Sequence, residues 1–129
     1  MSFVITALET RKPGWTPKQF ADYYDNVHVP LLKECVGDDF PISHFRYYIK
    51  RVSSAPDFTP LVFAGAPEDI KFDSITIMTV KDDAHATRFH AKYAEPEIYA
   101  RMEEDAAKYI ADAGVKVFGV EAPHITESE

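Results

Sequence analysis

Apolar residues recur along the chain at two alternating spacings, and the switches between them mark the elements. Ser2 to Thr10 repeats at period two, with Phe3, Ile5 and Ala7 on one side and Val4, Thr6 and Leu8 on the other. This predicts a strand apolar on both faces. Pro13-Gly14 signals a turn, and Thr16-Pro17-Lys18-Gln19 supplies a Thr N-cap, a proline at the first helical position and a Gln that closes a capping box. Phe20, Tyr24, Val27 and Leu31 then follow at helical spacing. Pro30 either ends this helix or opens a short second one, and Gly37-Asp38-Asp39 breaks it at the latest. From His44 to Val52 period two returns, with Phe45, Tyr47 and Ile49 on one face and His44, Arg46, Tyr48 and Lys50 on the other, a second strand with one polar face.

Ser53 to Lys71 has neither period. Pro56, Pro60, Gly65 and Pro67 surround the apolar patch Leu61-Val62-Phe63, which suits a lid or binding loop better than a passive connection. Phe72 to Val80 reads as a third strand, and Asp82-Asp83 caps a short helix over Ala84 to Tyr93. Pro96 opens a longer helix whose apolar stripe is Ile98, Met102, Ala106, Tyr109 and Ile110; Gly114 provides its stop, and Val115 to Glu121 forms the last strand. Strand, helix, strand, strand, helices, strand is the split βαβ order of an α+β, ferredoxin-like βαββαβ fold with a four-stranded antiparallel sheet. The domain is expected over residues 1–122, with 123–129 as a C-terminal tail that frays from Ile125. Helices cover one sheet face, and the other keeps apolar groups along all its strands. Packing two such sheets face to face in a homodimer buries them and leaves a pocket in each subunit.

Composition narrows the setting. A chain of 129 residues with 46% apolar and 13% aromatic residues can bury the core of one domain. The balance of 21 acidic against 14 basic residues, with the cations scattered, argues against nucleic acid as a partner. Cys35 is the only cysteine, which excludes an intramolecular disulfide and a multi-cysteine zinc site and fits a reducing compartment. No apolar run approaches the roughly 20 residues that cross a membrane, and no secretion signal opens the chain, so a cytoplasmic protein without membrane association is expected.

Arg11-Lys12-Pro13-Gly14 with Thr16-Pro17, followed by Tyr23-Tyr24-Asp25-Asn26-Val27-His28-Val29-Pro30-Leu31, closely resembles the EthD family. His44, Arg46 and Tyr48, the Phe72-Asp73-Ser74-Ile75 segment, and Asp105 ahead of Tyr109 also fall where that family has matching residues, so the resemblance spans nearly the whole chain. It implies a dimeric α/β barrel with no metal or organic cofactor and a pocket inside each barrel. It further implies a role of the kind found beside fungal polyketide pathways, as decarboxylase, dehydratase or cyclase on phenolic or polyketone substrates. Two departures bear on mechanism. Ile77 stands where family members often carry a glutamate, and Ala106 and Ala107 stand where further acids often follow Asp105. A pocket poorer in carboxylates is the expectation.

The candidate chemistry centres on His28 as general acid/base, because an imidazole titrates near neutral pH. At the end of the first helix the last carbonyls would favour its cation and raise its pKa; the same placement also suits a structural cap. Tyr24 and Asp25, four and three residues earlier, could set its tautomer. His44, Arg46 and Tyr48 share a strand face, Arg46 to hold an anionic oxygen and Tyr48 to donate to an enol or phenolate. Asp73 and, through the resemblance, Asp105 complete the catalytic candidates. Tyr24, His44, Arg46 and Phe63 are the candidates for binding substrate. His85 and His90, five apart, do not share a helical face as metal ligands would, and no phosphate loop, nucleophile elbow or Cys-His signature occurs. Three functions stay open: a cofactor-independent lyase or cyclase on an aromatic or polyketide-derived substrate, a non-catalytic module binding a small apolar molecule, and a cofactor-free oxygenase.

Overall fold

A reciprocal pair of hydrogen bonds starts the first helix where the sequence puts it. Gln19 N–H donates to the Thr16 hydroxyl at 3.1 Å, and Thr16 N–H donates to the Gln19 side chain at 2.9 Å, opening α1 (Pro17–Tyr23). The computed structural model describes residues 3–128; Ser2, the expected start of the first strand, and Glu129, the end of the expected tail, lie outside the described residues. The chain does not stop after α1. Tyr24–His28 forms a π-turn, with Val29 N–H reaching back to the Tyr24 carbonyl, and α2 (Val29–Val36) follows directly. Pro30 explains the widening, since it has no N–H for the Asn26 carbonyl and its ring crowds that carbonyl. Gly37, at φ +57°, ends α2.

The other elements are β1 (Phe3–Arg11), β2 (Ser43–Tyr48), β3 (Ser74–Thr79), α3 (Asp83–Tyr93), α4 (Pro96–Tyr109) and β4 (Ile110–Glu121). They build one antiparallel sheet in the order β2-β3-β1-β4. The fold is ferredoxin-like and α+β; its sheet is open in the single chain. The expected helix stop at Gly114 is corrected to Tyr109, and β4 begins at Ile110 rather than Val115. Strand pairing overrides the apolar stripe here. Lys12 N–H donates to the Tyr109 carbonyl at 2.8 Å and Arg11 pairs with Ile110, after a register shift opposite Glu9 to Arg11 that leaves the extra residues, Ala111 to Gly114, in β4. Gly114 serves close approach instead, for a Cβ there would lie 2.7 Å from the Ala111 carbonyl oxygen and 3.0 Å from that of Thr10.

Register decides what each sheet face presents. Arg46 stands opposite Thr76, which stands opposite Ala7, so Ile5, Ala7, Glu9, His44, Arg46, Tyr48, Ser74, Thr76 and Met78 share one face. The helices cover it. Met78 packs in one core cluster with Leu32, Cys35, Val36, Phe89 and Met102, and Tyr48 borders a second made of Phe20, Tyr24, Tyr109 and Ile110. On the opposite face Phe45, Tyr47, Phe118 and Val120 remain exposed, at 51%, 58%, 44% and 38%. Between β2 and β3 the chain folds back on itself, Arg51 bridging to Pro60, before a single 3-10 turn at Pro67–Asp69. Among the described residues no helix is long and apolar enough to cross a membrane.

Candidate functional site

The polar face of β2 lies beneath the helices, not on the open sheet face where a barrel pocket was expected. Phe45 and Tyr47 take the open face, and His44, Arg46 and Tyr48 must find partners in the layer between sheet and helices.

The π-turn supplies several of them. His28 Nδ1 lies 2.9 Å from Asp105 Oδ2, and Tyr23 donates its hydroxyl to Asp105 Oδ1 at 2.5 Å. The side chains of His28 and Asp105 are 13% and 7% exposed. A carboxylate only accepts, so the imidazole proton sits on Nδ1 and Nε2 keeps its lone pair. Nε2 makes no hydrogen bond among the described residues. The helix-end upward pKa shift is corrected: the backbone continues into α2, so His28 does not stand at a helix C-terminus, and burial lowers the His28 pKa below its ordinary 6.5 against the opposing pull of Asp105. Tyr24 packs its ring edge-on to His28 at 5.8 Å, but Asp105 sets the tautomer.

His44 has the complementary form. Its Nδ1 faces Arg46 Nη1 at 3.0 Å, and a guanidinium only donates, so His44 carries its proton on Nε2. Burial, followed by the charge of Arg46, pushes its pKa down to about 4. Both imidazoles pack against Tyr24, His44 also edge-on at 5.8 Å. At neutral pH one of them presents a lone pair and the other an N–H.

Arg46 and Tyr48 already hold an anion from the chain itself. Arg46 Nε and the Tyr48 hydroxyl both donate to Asp25 Oδ1, at 2.7 and 2.6 Å, and the Asp25 side chain is 39% exposed. Burial and Asp25 push the Tyr48 pKa far upward.

Glu9 is the residue that sequence reasoning passed over. It is 4% exposed and accepts from Tyr24 at 2.6 Å, Ser74 at 2.6 Å and Thr76 at 3.1 Å. Burial raises its pKa above 4.5, while the three hydroxyls pull it back. The signal was present: Glu9 shares the strand parity of Ile5 and Ala7, an acid at an inward position. The layer therefore holds three carboxylates, Glu9, Asp25 and Asp105, and is not poor in them. Ile77 pairs with Thr6 and Phe45 on the open face, so its apolar nature removes nothing from this cluster. Tyr109, fully buried 5.2 Å from the His28 ring, keeps a hydroxyl with no partner among the described residues.

The remaining candidates stand apart. Asp73 is engaged with Arg11 and Arg51 beyond the end of β3, away from His28. Phe63 is 92% exposed on its loop. His85 latches α3 to the end of α2: its Nδ1 accepts Lys81 N–H at 3.0 Å, so Nε2 donates to the carbonyls of Asp39 and Phe40. Among the described residues no three His, Cys, Asp or Glu side chains gather as metal ligands.

The EthD domain, compared as a family, matches residues 12–113. No curated protein matches the chain. An ethyl tert-butyl ether D (EthD) family protein from Bacillus halodurans C-125 is similar at 19% identity and a TM-score of 0.55, over 95% of this chain and 100% of that one. An EthD-like protein from Ralstonia eutropha JMP134 is 18% identical with a TM-score of 0.59, over 93% and 90%. A dimeric ferredoxin-like protein of unknown function from Thermobifida fusca YX shares 10% identity with a TM-score of 0.52, over 95% and 92%. Identities this low carry the fold and nothing finer.

The imidazoles make stability depend on acid. Unfolded, His44 titrates near 6.5; folded, at about 4. As pH falls through that window the unfolded chain binds a proton that the folded chain refuses, so stability present above about 6.5 is lost toward about 4. His28 acts in the same sense; Glu9, raised above 4.5, contributes oppositely, below its unfolded value. Urea melts from pH 7 to pH 4 should show this loss, and His44→Gln, whose amide oxygen still accepts from Arg46, should reduce it. An unchanged slope in the variant contradicts the assignment.

Proposed function

Because this chain belongs to the EthD family, we propose that it is a cofactor-independent lyase or cyclase of the decarboxylase or dehydratase type, acting on a small aromatic or polyketide-derived substrate. The observation that carries this reading is the buried His28–Asp105 pair, with its lone pair free on Nε2. In a dehydration, Nε2 takes a proton from the carbon beside a carbonyl, and the C–H electrons move into an enolate. Asp105 stabilises the imidazolium formed, and His44 Nε2–H donates to the enolate oxygen. The enolate then expels a β-hydroxyl, which leaves as water with the proton that His28 returns. Two nearby imidazoles held in opposite protonation roles suit this division of labour. Arg46 and Tyr48 receive a substrate oxygen in exchange for Asp25, the most exposed member of their cluster. Glu9 holds Tyr24 in place against both rings.

One observation favours a non-catalytic binding module instead: the donors of Arg46 and Tyr48 are already satisfied by Asp25, so a ligand gains from them only what it displaces. The reading also includes a homodimer through the open sheet face, supported by its exposed Phe45, Tyr47, Phe118 and Val120. A reducing, cytoplasmic setting is supported by the single cysteine.

Turnover separates the two readings. Wild-type protein is assayed for loss of water or carbon dioxide from phenolic and β-polyketone acids, followed by mass spectrometry. His28→Gln should lower turnover by about 10² to 10⁴, the usual worth of general acid/base catalysis, and leave product-analogue affinity within a few-fold. Retained turnover in a folded His28→Gln protein removes His28 from the mechanism, and no wild-type turnover across the panel favours the binding module.

Light scattering in dilute neutral buffer should report twice the chain mass. Phe45→Lys should shift it toward monomer by placing a charge in the apolar contact. A folded wild-type monomer at micromolar concentration contradicts the dimer.

A further inference from the structure

The chain is acidic overall, yet one concave surface sets Arg11, Lys12, Arg51 and Lys71 against only Asp57 and Asp73. Where β1 ends and β3 begins, a cleft of about 320 Å³ is walled by the Lys12–Gly14 turn on one side and by the folded segment carrying Arg51 and Phe58 on the other. At its base Arg11 and Arg51 share one carboxylate. Asp73 Oδ1 accepts Arg11 Nη1 at 2.7 Å and Arg51 Nη2 at 2.5 Å, and Oδ2 accepts the Arg11 backbone N–H at 2.8 Å. Two guanidinium groups against one carboxylate leave a positive charge uncompensated. The side chains of Asp73, Arg51 and Arg11 are 7%, 15% and 23% exposed, so water screens that charge weakly.

The donors are only partly spent. Arg11 Nε is given to the Trp15 carbonyl at 2.7 Å and Arg51 Nη1 to the Phe58 carbonyl at 3.1 Å. Arg11 Nη2 makes no hydrogen bond among the described residues, and Arg51 Nε is buried without a partner. Buried guanidinium donors are seldom left idle. Apolar groups border the same space: Phe58 lies over the Arg11 guanidinium at 5.6 Å, and Pro60, Ile70 and Phe72 line the wall. Lys71 stands at the mouth. The space falls within the range of small-ligand sites.

We propose that this cleft binds the carboxylate of a small apolar acid, with Arg11 and Arg51 holding the carboxylate and Phe58, Ile70 and Phe72 contacting its body. The lining cations outnumber its two acids, Asp57 and Asp73, which suits an anionic group, and the apolar wall separates such an acid from a bare inorganic anion. Asp73 is then a positioning residue that holds two arginines toward a ligand, and not a proton carrier. The site is independent of the His28 chemistry, since none of the side chains of the His28–Asp105 and His44–Arg46 cluster lines the cleft.

The probe is benzoate, titrated calorimetrically into the full chain at neutral pH and low salt, with benzyl alcohol as its uncharged counterpart and inorganic phosphate as an anion without an apolar body. Benzoate should bind saturably and at least about tenfold more tightly than either. In two-dimensional NMR it should shift the backbone amides of Gly14, Phe58, Lys71 and Phe72. Arg11→Gln, which leaves Arg51 on Asp73, should weaken benzoate about tenfold. Should Arg11→Gln fail to fold, the wild-type NMR map and the three-ligand ranking decide. Benzyl alcohol or phosphate binding as tightly as benzoate, shifts centred on His28 and His44, or unchanged affinity in folded Arg11→Gln would overturn the proposal.

Discussion

Asp105 gives up nearly all of its water between α4 and the π-turn, and the Tyr23 hydroxyl and His28 Nδ1 are what make that burial tolerable. A carboxylate stripped of one such partner is left with a desolvation cost of roughly 1–3 kcal/mol or more. Both donors sit on the α1 to π-turn segment, so the pairing ties the N-terminal helical run to α4 on the covered face of the sheet. The same demand organises the rest of the layer. Glu9 is met by three hydroxyls from α1's continuation and β3, and Asp25 by Arg46 and Tyr48 of β2. Each carboxylate draws a different strand or helix to it. The site is therefore a by-product of satisfying buried charge, and its geometry is as stiff as those bonds.

Pro30 links that requirement to the local backbone. An uninterrupted α-helix through Tyr24–Leu31 would place each side chain a step differently around the axis. The extra residue in the π-turn rotates Tyr24, Asp25 and His28 relative to α2, so that one turn faces Glu9, Arg46 and Asp105 together. Helix irregularities of this kind often mark working sites.

Much of this was legible in the sequence. The capping box at Thr16, the element order and the Asp82 cap all stand as periodicity and end signals place them, because these are local preferences that tertiary contacts reinforce. His28, Asp105, Tyr24, His44, Arg46 and Tyr48 come together in one layer. What failed to show was long-range. The end of α4 is decided by Arg11 and Lys12 across the sheet, which no window around Gly114 contains. Which face of β2 the helices cover decides whether its polar residues meet a pocket or a buried network, and alternation alone cannot choose between faces. Glu9 went unweighed because one acid in an apolar strand looks like a strand end until the neighbouring Ser74 and Thr76 are placed beside it. Asp73 was legible as an acid at a strand end; its two arginines come from segments far away along the chain.

The central claim is that Asp105 holds His28 with its proton on Nδ1 and its lone pair on Nε2, while Arg46 forces the opposite tautomer on His44. Nitrogen-15 NMR of the imidazole rings at neutral pH reads this directly. The account predicts a neutral His28 protonated at Nδ1 and a neutral His44 protonated at Nε2, with the His28 preference weakened in Asp105→Asn. A His28 that is doubly protonated at neutral pH, or neutral with its proton on Nε2, contradicts it.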